Sequence, residues 1–242
     1  MIYYDDCIEG LNGGDQGTRL SSLRRLKEGM DSGKIPRPKG MGYINNHIHT
    51  TYSFSPYSPG KAVWMAFNSG LATAGIMDHD SVSGAREFIE AGRILGIATT
   101  VGIECRVDFS STPLRDRRIN NPDQDSIAYM AIHGIPHTQI QKVADFFAPY
   151  TIERNKRNRA MTRNINRIME PFDIELDFDR DITPISQYGD GGSITERHLL
   201  FALSLKLVQK FGRGQKLIEF LTRRIGIRIK SPILDHLTDK DN

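Results

Sequence analysis

Apolar and polar stretches alternate along residues 43–136 in a way that predicts strands and helices in turn. Strand-like runs occur at YINNHIH, LATAGIM, IATTVGIE and SIAYMAI, and stretches with helical spacing separate the first three of them. A long polar segment, 108–125, lies between the third and fourth runs. The resulting order, β-α-β-α-β-β, is typical of an α/β domain with a mostly parallel sheet.

The segments on either side of this region differ from it in character. Residues 1–42 contain turn residues, a basic amphipathic stretch and a Gly- and Pro-rich linker, so we interpret them as an N-terminal extension. Residues 137–225 have mainly helical patterns and form a predicted insertion. Residues 226–242 resemble the start of a further βα unit that is cut short.

Composition excludes several classes of protein. A chain of 242 residues with 38% hydrophobic and 25% charged residues can bury a substantial core, and its mean hydropathy of −0.41 argues against a membrane protein. The N-terminus lacks a secretory signal and the chain has only two cysteines, so we expect a cytoplasmic, reducing environment. A net charge of +3 is too small to indicate nucleic-acid binding by itself.

Metal-ligand residue types occur at the ends of three successive predicted strands. His47 and His49 are two positions apart, so on a strand both imidazoles face one side and can reach one ion. The DHD triplet at 78–80 follows a buried strand, where ionisable groups are costly unless something pairs them. Glu104 ends the next strand. Each feature has an ordinary explanation: two surface histidines, a helix cap for one residue of the triplet, and a loop or ion-pair role for Glu104. Their coincidence at one sheet edge predicts a metal centre.

The segments HIHTTYS, MDHDSVSG and GIE, at these separations, resemble the first three motifs of the PHP (polymerase and histidinol phosphatase) family. GGSITERHLLFAL resembles a later segment of some members more loosely. The resemblance implies a distorted TIM-like barrel, incomplete here because the later family motifs are absent, and two or three divalent metal ions. Imidazole and carboxylate ligands suit Zn, Mn or Fe. The implied activity is hydrolysis of a phosphate ester by a metal-activated hydroxide.

The resemblance also assigns roles to individual residues. The expected catalytic acids are Asp78 and Asp80, and the expected metal ligands are His47, His49, His79, Glu104, His133 and His198. His133 falls four residues after the family's ligand position, which Tyr129 occupies in this chain. His133 therefore either reaches the site from the same strand face or is a turn residue before a glycine.

Basic residues are the candidates for substrate binding. Arg115, Arg117 and Arg118 lie in the polar loop after the Glu104 strand, where they either recognise phosphate or form a solvated charge run. Six basic residues between Arg154 and Arg167 either follow a nucleic-acid backbone or cover a solvated helix, and the lack of interleaved aromatics favours the helix. We expect a phosphorylated small molecule or a nucleotide as the partner, and no membrane.

Two other functions are compatible with the same residues. A non-catalytic PHP-like module that binds a metal or a nucleotide, and serves a partner or a missing domain, is favoured by the absent later motifs. An amidohydrolase-like enzyme acting on a C–N bond would use similar ligands, and arginines that bind phosphate near the site argue against it.

Overall fold

The computed structural model describes residues 2–122 and 124–239. Its strands are β1 (Tyr43–Ile48), β2 (Leu71–His79), β3 (Ala98–Asp108) and β4 (Ile127–His133). Its helices are α1 (Ile2–Gly10), α2 (Gln16–Asp31), α3 (Pro59–Asn68), α4 (Ala85–Leu95), α5 (Ile140–Met169), α6 (Glu196–Phe211), α7 (Gln215–Glu219) and α8 (Ser231–Thr238). The chain divides into two compact units, one formed by residues up to 156 with 186–195, the other by 157–185 with those from 196 onwards.

The four strands form one curled sheet, half of a barrel, in the order β1-β2-β3-β4. β1, β2 and β3 are parallel, with α3 and α4 as the connections, whereas β4 runs antiparallel to β3. The predicted α/β class and mostly parallel sheet are therefore confirmed. The direction of β4 follows from its connection, because a loop without a crossover helix returns the chain antiparallel to the strand it left.

The outer face of the sheet packs against α3 and α4. Ile103 of β3 and Phe88 of α4 are fully buried there, and Trp64 of α3 is nearly so. α1 and α2 contribute to the same core through Cys7 and Leu23, which have no exposed surface. The segment interpreted as an N-terminal extension thus supplies part of the hydrophobic core of the first unit.

A buried ion pair joins α2 to α4. Arg19 donates from Nε and Nη2 to the carboxylate of Glu87 at 2.9 and 2.6 Å, and the side chains are 11% and 3% exposed. The N–H of Gly60, at the start of α3, donates to the same carboxylate at 3.0 Å. Glu87 therefore connects three helices behind the sheet, and its charge is balanced by one guanidinium.

The second unit is helical, with Met169, Leu207 and Phe220 in its core. Residues 226–230, where the sequence pattern predicts a strand, have no regular secondary structure, and α8 begins directly after them. A strand is stable only when its N–H and C=O groups pair with a neighbouring strand, and no strand is described in this unit. Among the described residues, no helix is both long enough and apolar enough to cross a membrane.

Replacing Arg19 by glutamine leaves the Glu87 carboxylate buried without its charge partner. We expect the free energy of unfolding, measured by chemical denaturation, to fall by about 3–5 kcal/mol. The matched control is Arg24→Gln, because Arg24 lies on the same helix but forms an exposed pair with Glu90 at 3.4 Å. That control is expected to cost less than about 1 kcal/mol. Equal losses in the two variants would contradict the role given to the buried pair.

Candidate metal centre

Three histidines surround one oxygen of Glu104 at the carboxyl edge of the sheet. Nε2 of His47 lies 3.3 Å from Oε2 of Glu104, Nε2 of His49 lies 3.4 Å from it, and Nδ1 of His79 lies 3.5 Å from it. The imidazoles of His49 and His79 stack with their centroids 4.7 Å apart. We refer to these four residues as the histidine cluster.

Within the cluster, His47, His49 and Glu104 have the arrangement of a ligand set. Each offers one donor atom, and these three atoms lie within 4.8 Å of one another. The Glu104 side chain is 16% exposed, whereas that of His47 is 46% exposed, so the cluster opens to solvent on the β1 side. An ion can therefore enter from solvent and meet a carboxylate that is already shielded from it.

The local structure of β1 differs from the regular strand that the HxH spacing predicts. Its pairing with β2 shifts register between Asn45 and Ile48, and the strand ends before His49. The side chain of Asn45 accepts a hydrogen bond from the N–H of His47 at 3.0 Å, which stabilises the irregular segment. His47 and His49 thus converge on Glu104 through a kinked strand end and not through simple alternation.

Asp78 is fully buried behind the cluster and is satisfied by the loop that follows β1. Its carboxylate accepts hydrogen bonds from the N–H and the hydroxyl of Thr50 at 2.7 and 2.6 Å, and from the hydroxyl of Ser53 at 2.6 Å. Burial raises the pKa of Asp78, and these hydrogen bonds act in the opposite direction. Ser53 also contacts Nδ1 of His49 at 3.3 Å, so Asp78 positions a metal-ligand candidate. Its predicted catalytic role stays a prediction.

Asp80 is held by an arginine from a distant part of the sequence. Its carboxylate lies 2.5 Å from Nε of Arg154 on α5, and the two side chains are 8% and 6% exposed. The N–H of Asp80 donates to the carbonyl of Glu104 at 2.9 Å, and Asp80 has a φ of 50°. The interpretation of the 154–167 basic run as solvated is therefore wrong for Arg154, because its guanidinium is buried against the carboxylate of Asp80. Catalysis by Asp80 likewise stays a prediction.

The other predicted site residues are not part of the cluster. His133, at the far end of β4, is exposed and pairs with Gly102, and it is not among the described residues that form the candidate ligand set. His198 is buried in the first turn of α6, in the second unit. Their roles as metal ligands stay predictions. So do the substrate-binding roles of the three exposed loop arginines, Arg115, Arg117 and Arg118.

Sequence reasoning missed a loop that braces the site. Residues 187–193 contact the loops that follow both β1 and β2: the carbonyl of Gly191 accepts hydrogen bonds from the hydroxyls of Ser81 and Ser83 at 2.7 and 3.0 Å. The N–H of Ser193 donates to the carbonyl of Tyr52 at 2.8 Å. A φ of 84° at Gly191 explains the glycine there, because this backbone conformation is strained for other residues.

Cys105 follows Glu104 but faces the hydrophobic core, as the alternation along a strand predicts. Burial raises the pKa of its thiol, and the neighbouring charges of Asp80 and Glu104 raise it further. The thiol therefore stays protonated at neutral pH, which makes it a poor nucleophile.

Comparisons with known proteins are consistent with this architecture. The family model of the PHP domain matches residues 45–183. An error-prone DNA polymerase from Corynebacterium efficiens is 30% identical over 102 residues, which make up 41% of this chain and 9% of the polymerase. The chain thus spans less than a tenth of that relative's length.

Two solved structures share the fold. One, from Bifidobacterium adolescentis and provisionally named a metal-dependent phosphoesterase, has a TM-score of 0.54 at 19% identity over 79% of this chain and 58% of its own. The other, an amidohydrolase from Chromobacterium violaceum with bound sulfate and no metal, has a TM-score of 0.52 at 20% identity over 74% and 54%. These likenesses confirm the expected TIM-like barrel, of which the described strands form an incomplete part.

The pair formed by Asp80 and Arg154 can be tested with a double-mutant cycle. Arg154→Met leaves the Asp80 carboxylate buried without this guanidinium, so the free energy of unfolding is expected to fall by about 3–5 kcal/mol. Adding Asp80→Asn removes that charge, and asparagine tolerates the positive φ, so much of the loss should be recovered. Lys156→Gln, which breaks an exposed pair with Glu153 on the same helix, serves as the control. Additive losses from the two substitutions would argue against a coupled pair.

Proposed function

Since this chain belongs to the PHP domain family, whose model matches more than half of its residues, we propose that it is a metal-dependent hydrolase of phosphate esters. The observation that carries the proposal is the convergence of three imidazoles on the carboxylate of Glu104. One structural neighbour is named a metal-dependent phosphoesterase, which supports this activity, whereas the other is named an amidohydrolase and supports metal-dependent hydrolysis in general.

The residues of the histidine cluster fit a divalent transition metal. Ligand atoms about 2.0–2.1 Å from a tetrahedrally coordinated zinc ion lie roughly 3.3 Å from one another. The distances from the imidazole nitrogens to Oε2 of Glu104, 3.3–3.5 Å, are close to that separation. They are long for direct hydrogen bonds between nitrogen and a carboxylate oxygen. Nitrogen and carboxylate donors favour Zn, Mn or Fe over Ca.

Each residue of the chain has a separate task in this proposal. His47, His49 and Glu104 hold the ion. His79 lies against Glu104 as a further candidate ligand, and Asp78 fixes the loop that carries His49. Asp80 and Arg154 brace the backbone at Glu104. A bound divalent ion supplies Lewis acidity at the phosphate and lowers the pKa of water at the site.

The proposed reaction is the hydrolysis of a P–O ester bond. The oxygen of a water molecule forms a bond to phosphorus, and the bond between phosphorus and the ester oxygen breaks. The leaving alcohol takes one proton of the water, and the other proton stays on the inorganic phosphate that is formed. A small phosphometabolite or a nucleotide is the substrate class that we propose, since open access from solvent on the β1 side admits a small molecule.

Metal content and hydrolysis of phenyl phosphate test the proposal together. We expect the purified chain to bind manganese and to hydrolyse the ester, and a chelator to abolish the activity until manganese is restored. His49→Ala is expected to lower activity by at least about 100-fold, since even residues that only orient a ligand contribute 10- to 100-fold. His137→Ala, at an exposed histidine outside the cluster, is the matched control and should leave activity unchanged.

The outcomes separate the proposal from its alternatives. Manganese bound through the cluster without hydrolysis of any phosphate ester would support a non-catalytic metal-binding module. Cleavage of an amide in place of an ester would favour the amidohydrolase. Equal activity in His49→Ala and His137→Ala would overturn the assignment of the site.

A further inference from the structure

The positive charge of the chain is concentrated in residues 213–230, which we refer to as the basic segment. This segment contains six basic residues and one acidic residue, so its net charge is +5. The whole chain has a net charge of +3, and the residues outside the segment therefore carry −2 in total. An asymmetry of this kind is typical of a surface that binds a polyanion, and the small net charge of the chain conceals it.

The first part of the basic segment is a helix whose apolar side is already covered. α7 continues directly into one π-helical turn, Phe220–Arg224. The side chains of Leu217 and Phe220 are buried in the hydrophobic core of the second unit. Three basic residues of the same helix are exposed to solvent: Lys216, Arg223 and Arg224. The basic side of this helix is therefore the side that is open to a partner.

The last part of the basic segment turns back beside the end of that helix. Gly226 has a φ of 81°, and the N–H of Ile227 donates to the carbonyl of Leu221 at 2.9 Å. This is the hydrogen bond that closes a helix when a glycine in the left-handed conformation follows it. Arg228 and Lys230 come directly after this turn and are exposed. They therefore add positive charge near the end of the helix.

The basic segment differs from the rest of its unit in having no internal charge partners. In the part of the chain that the structure describes, no acid forms an ion pair with Arg213, Lys216, Arg223, Arg224, Arg228 or Lys230. Elsewhere in the unit, Arg159 pairs with Asp179 at 2.6 Å and Lys206 with Asp181 at 3.1 Å. Glu219, the one acid of the segment, accepts a hydrogen bond from Gln215 at 3.1 Å. The charge of the segment is therefore not used to hold the fold together.

We propose that the basic segment binds the phosphate backbone of a double-stranded nucleic acid without reading its sequence. Four of its six basic residues are arginines, whose guanidinium groups match pairs of phosphate oxygens. Binding of a single strand relies on exposed aromatic rings on which bases stack. Phe220 is the one aromatic residue of the segment, and it is buried. A duplex, which is bound through its backbone, is therefore the better match.

An anionic membrane fits the basic segment less well than a duplex does. Helices that bind at a membrane surface insert an apolar face between the lipids. The apolar side chains of this helix, Leu217 and Phe220, are occupied in the core. The basic segment belongs to the second unit and the histidine cluster to the first, so this proposal does not depend on the proposed function.

Fluorescence anisotropy with a labelled DNA duplex of about 20 base pairs tests the proposal on the full chain. Each phosphate contact contributes about 0.9 to the slope of log affinity against log salt, so three to five contacts predict a slope of roughly −3 to −5. Arg223→Gln combined with Arg224→Gln should make the slope less steep by about 2 and weaken binding about tenfold or more at ~0.1 M salt. Arg223→Lys combined with Arg224→Lys keeps the charge and should retain most of the affinity.

Arg86→Gln combined with Arg93→Gln is the matched control. It changes the net charge by the same amount at two exposed arginines of α4, in the first unit, and should bind the duplex as the wild type does. Circular dichroism and thermal unfolding check that each variant is folded.

Four results would overturn the proposal. They are no binding of the duplex by the wild type, equal weakening in the two pairs of glutamine substitutions, tighter binding of the single strand than of the duplex, and binding of phosphatidylserine vesicles in place of the duplex. The last result would favour a membrane surface.

Discussion

Three histidines contribute to one site because the register between β2 and β3 places the carboxylate of Glu104 among them. In that parallel pairing His79 lies directly opposite Glu104. A shift of one residue would turn either side chain to the opposite face of the sheet, towards the hydrophobic core. The apolar residues that fix the register, such as Ile76 and Ile103, are buried against the helices. The geometry of the site thus depends on the packing behind the sheet.

Charge is balanced separately for each acid at this edge. Asp78 is stabilised by two hydroxyls and a backbone N–H, and Asp80 by the guanidinium of Arg154. When its imidazoles are neutral, the histidine cluster carries one negative charge, that of Glu104. This charge is available to a bound cation. A divalent ion at the cluster would retain a net positive charge. Such a site attracts an anion, in agreement with a phosphorylated substrate.

The candidate ligands at the strand ends could be predicted from the sequence because their signals are local. His79 and Glu104 each end an apolar run, His47 lies in a short β-like segment, and parallel strands bring such ends together. Arg154 has no local signal, since its partner Asp80 lies 74 residues earlier and the surrounding basic residues suggest a solvated helix.

The elements that the sequence pattern missed or placed wrongly depend on tertiary contacts. α1 contains aromatic and β-branched residues of modest helix propensity, and its burial of Cys7 stabilises it in the core. The strand predicted at 226–230 has suitable alternation but no described strand beside it in its unit. In both cases the deciding interaction is with residues distant in the sequence.

Anomalous diffraction from crystals of this protein grown with manganese tests the central claim most directly. The account predicts an anomalous peak within about 2.0–2.3 Å of Glu104 and of the imidazole nitrogens of His47 and His49. Manganese peaks that lie elsewhere on the protein, with the side chains of the cluster in direct contact with one another, would contradict it.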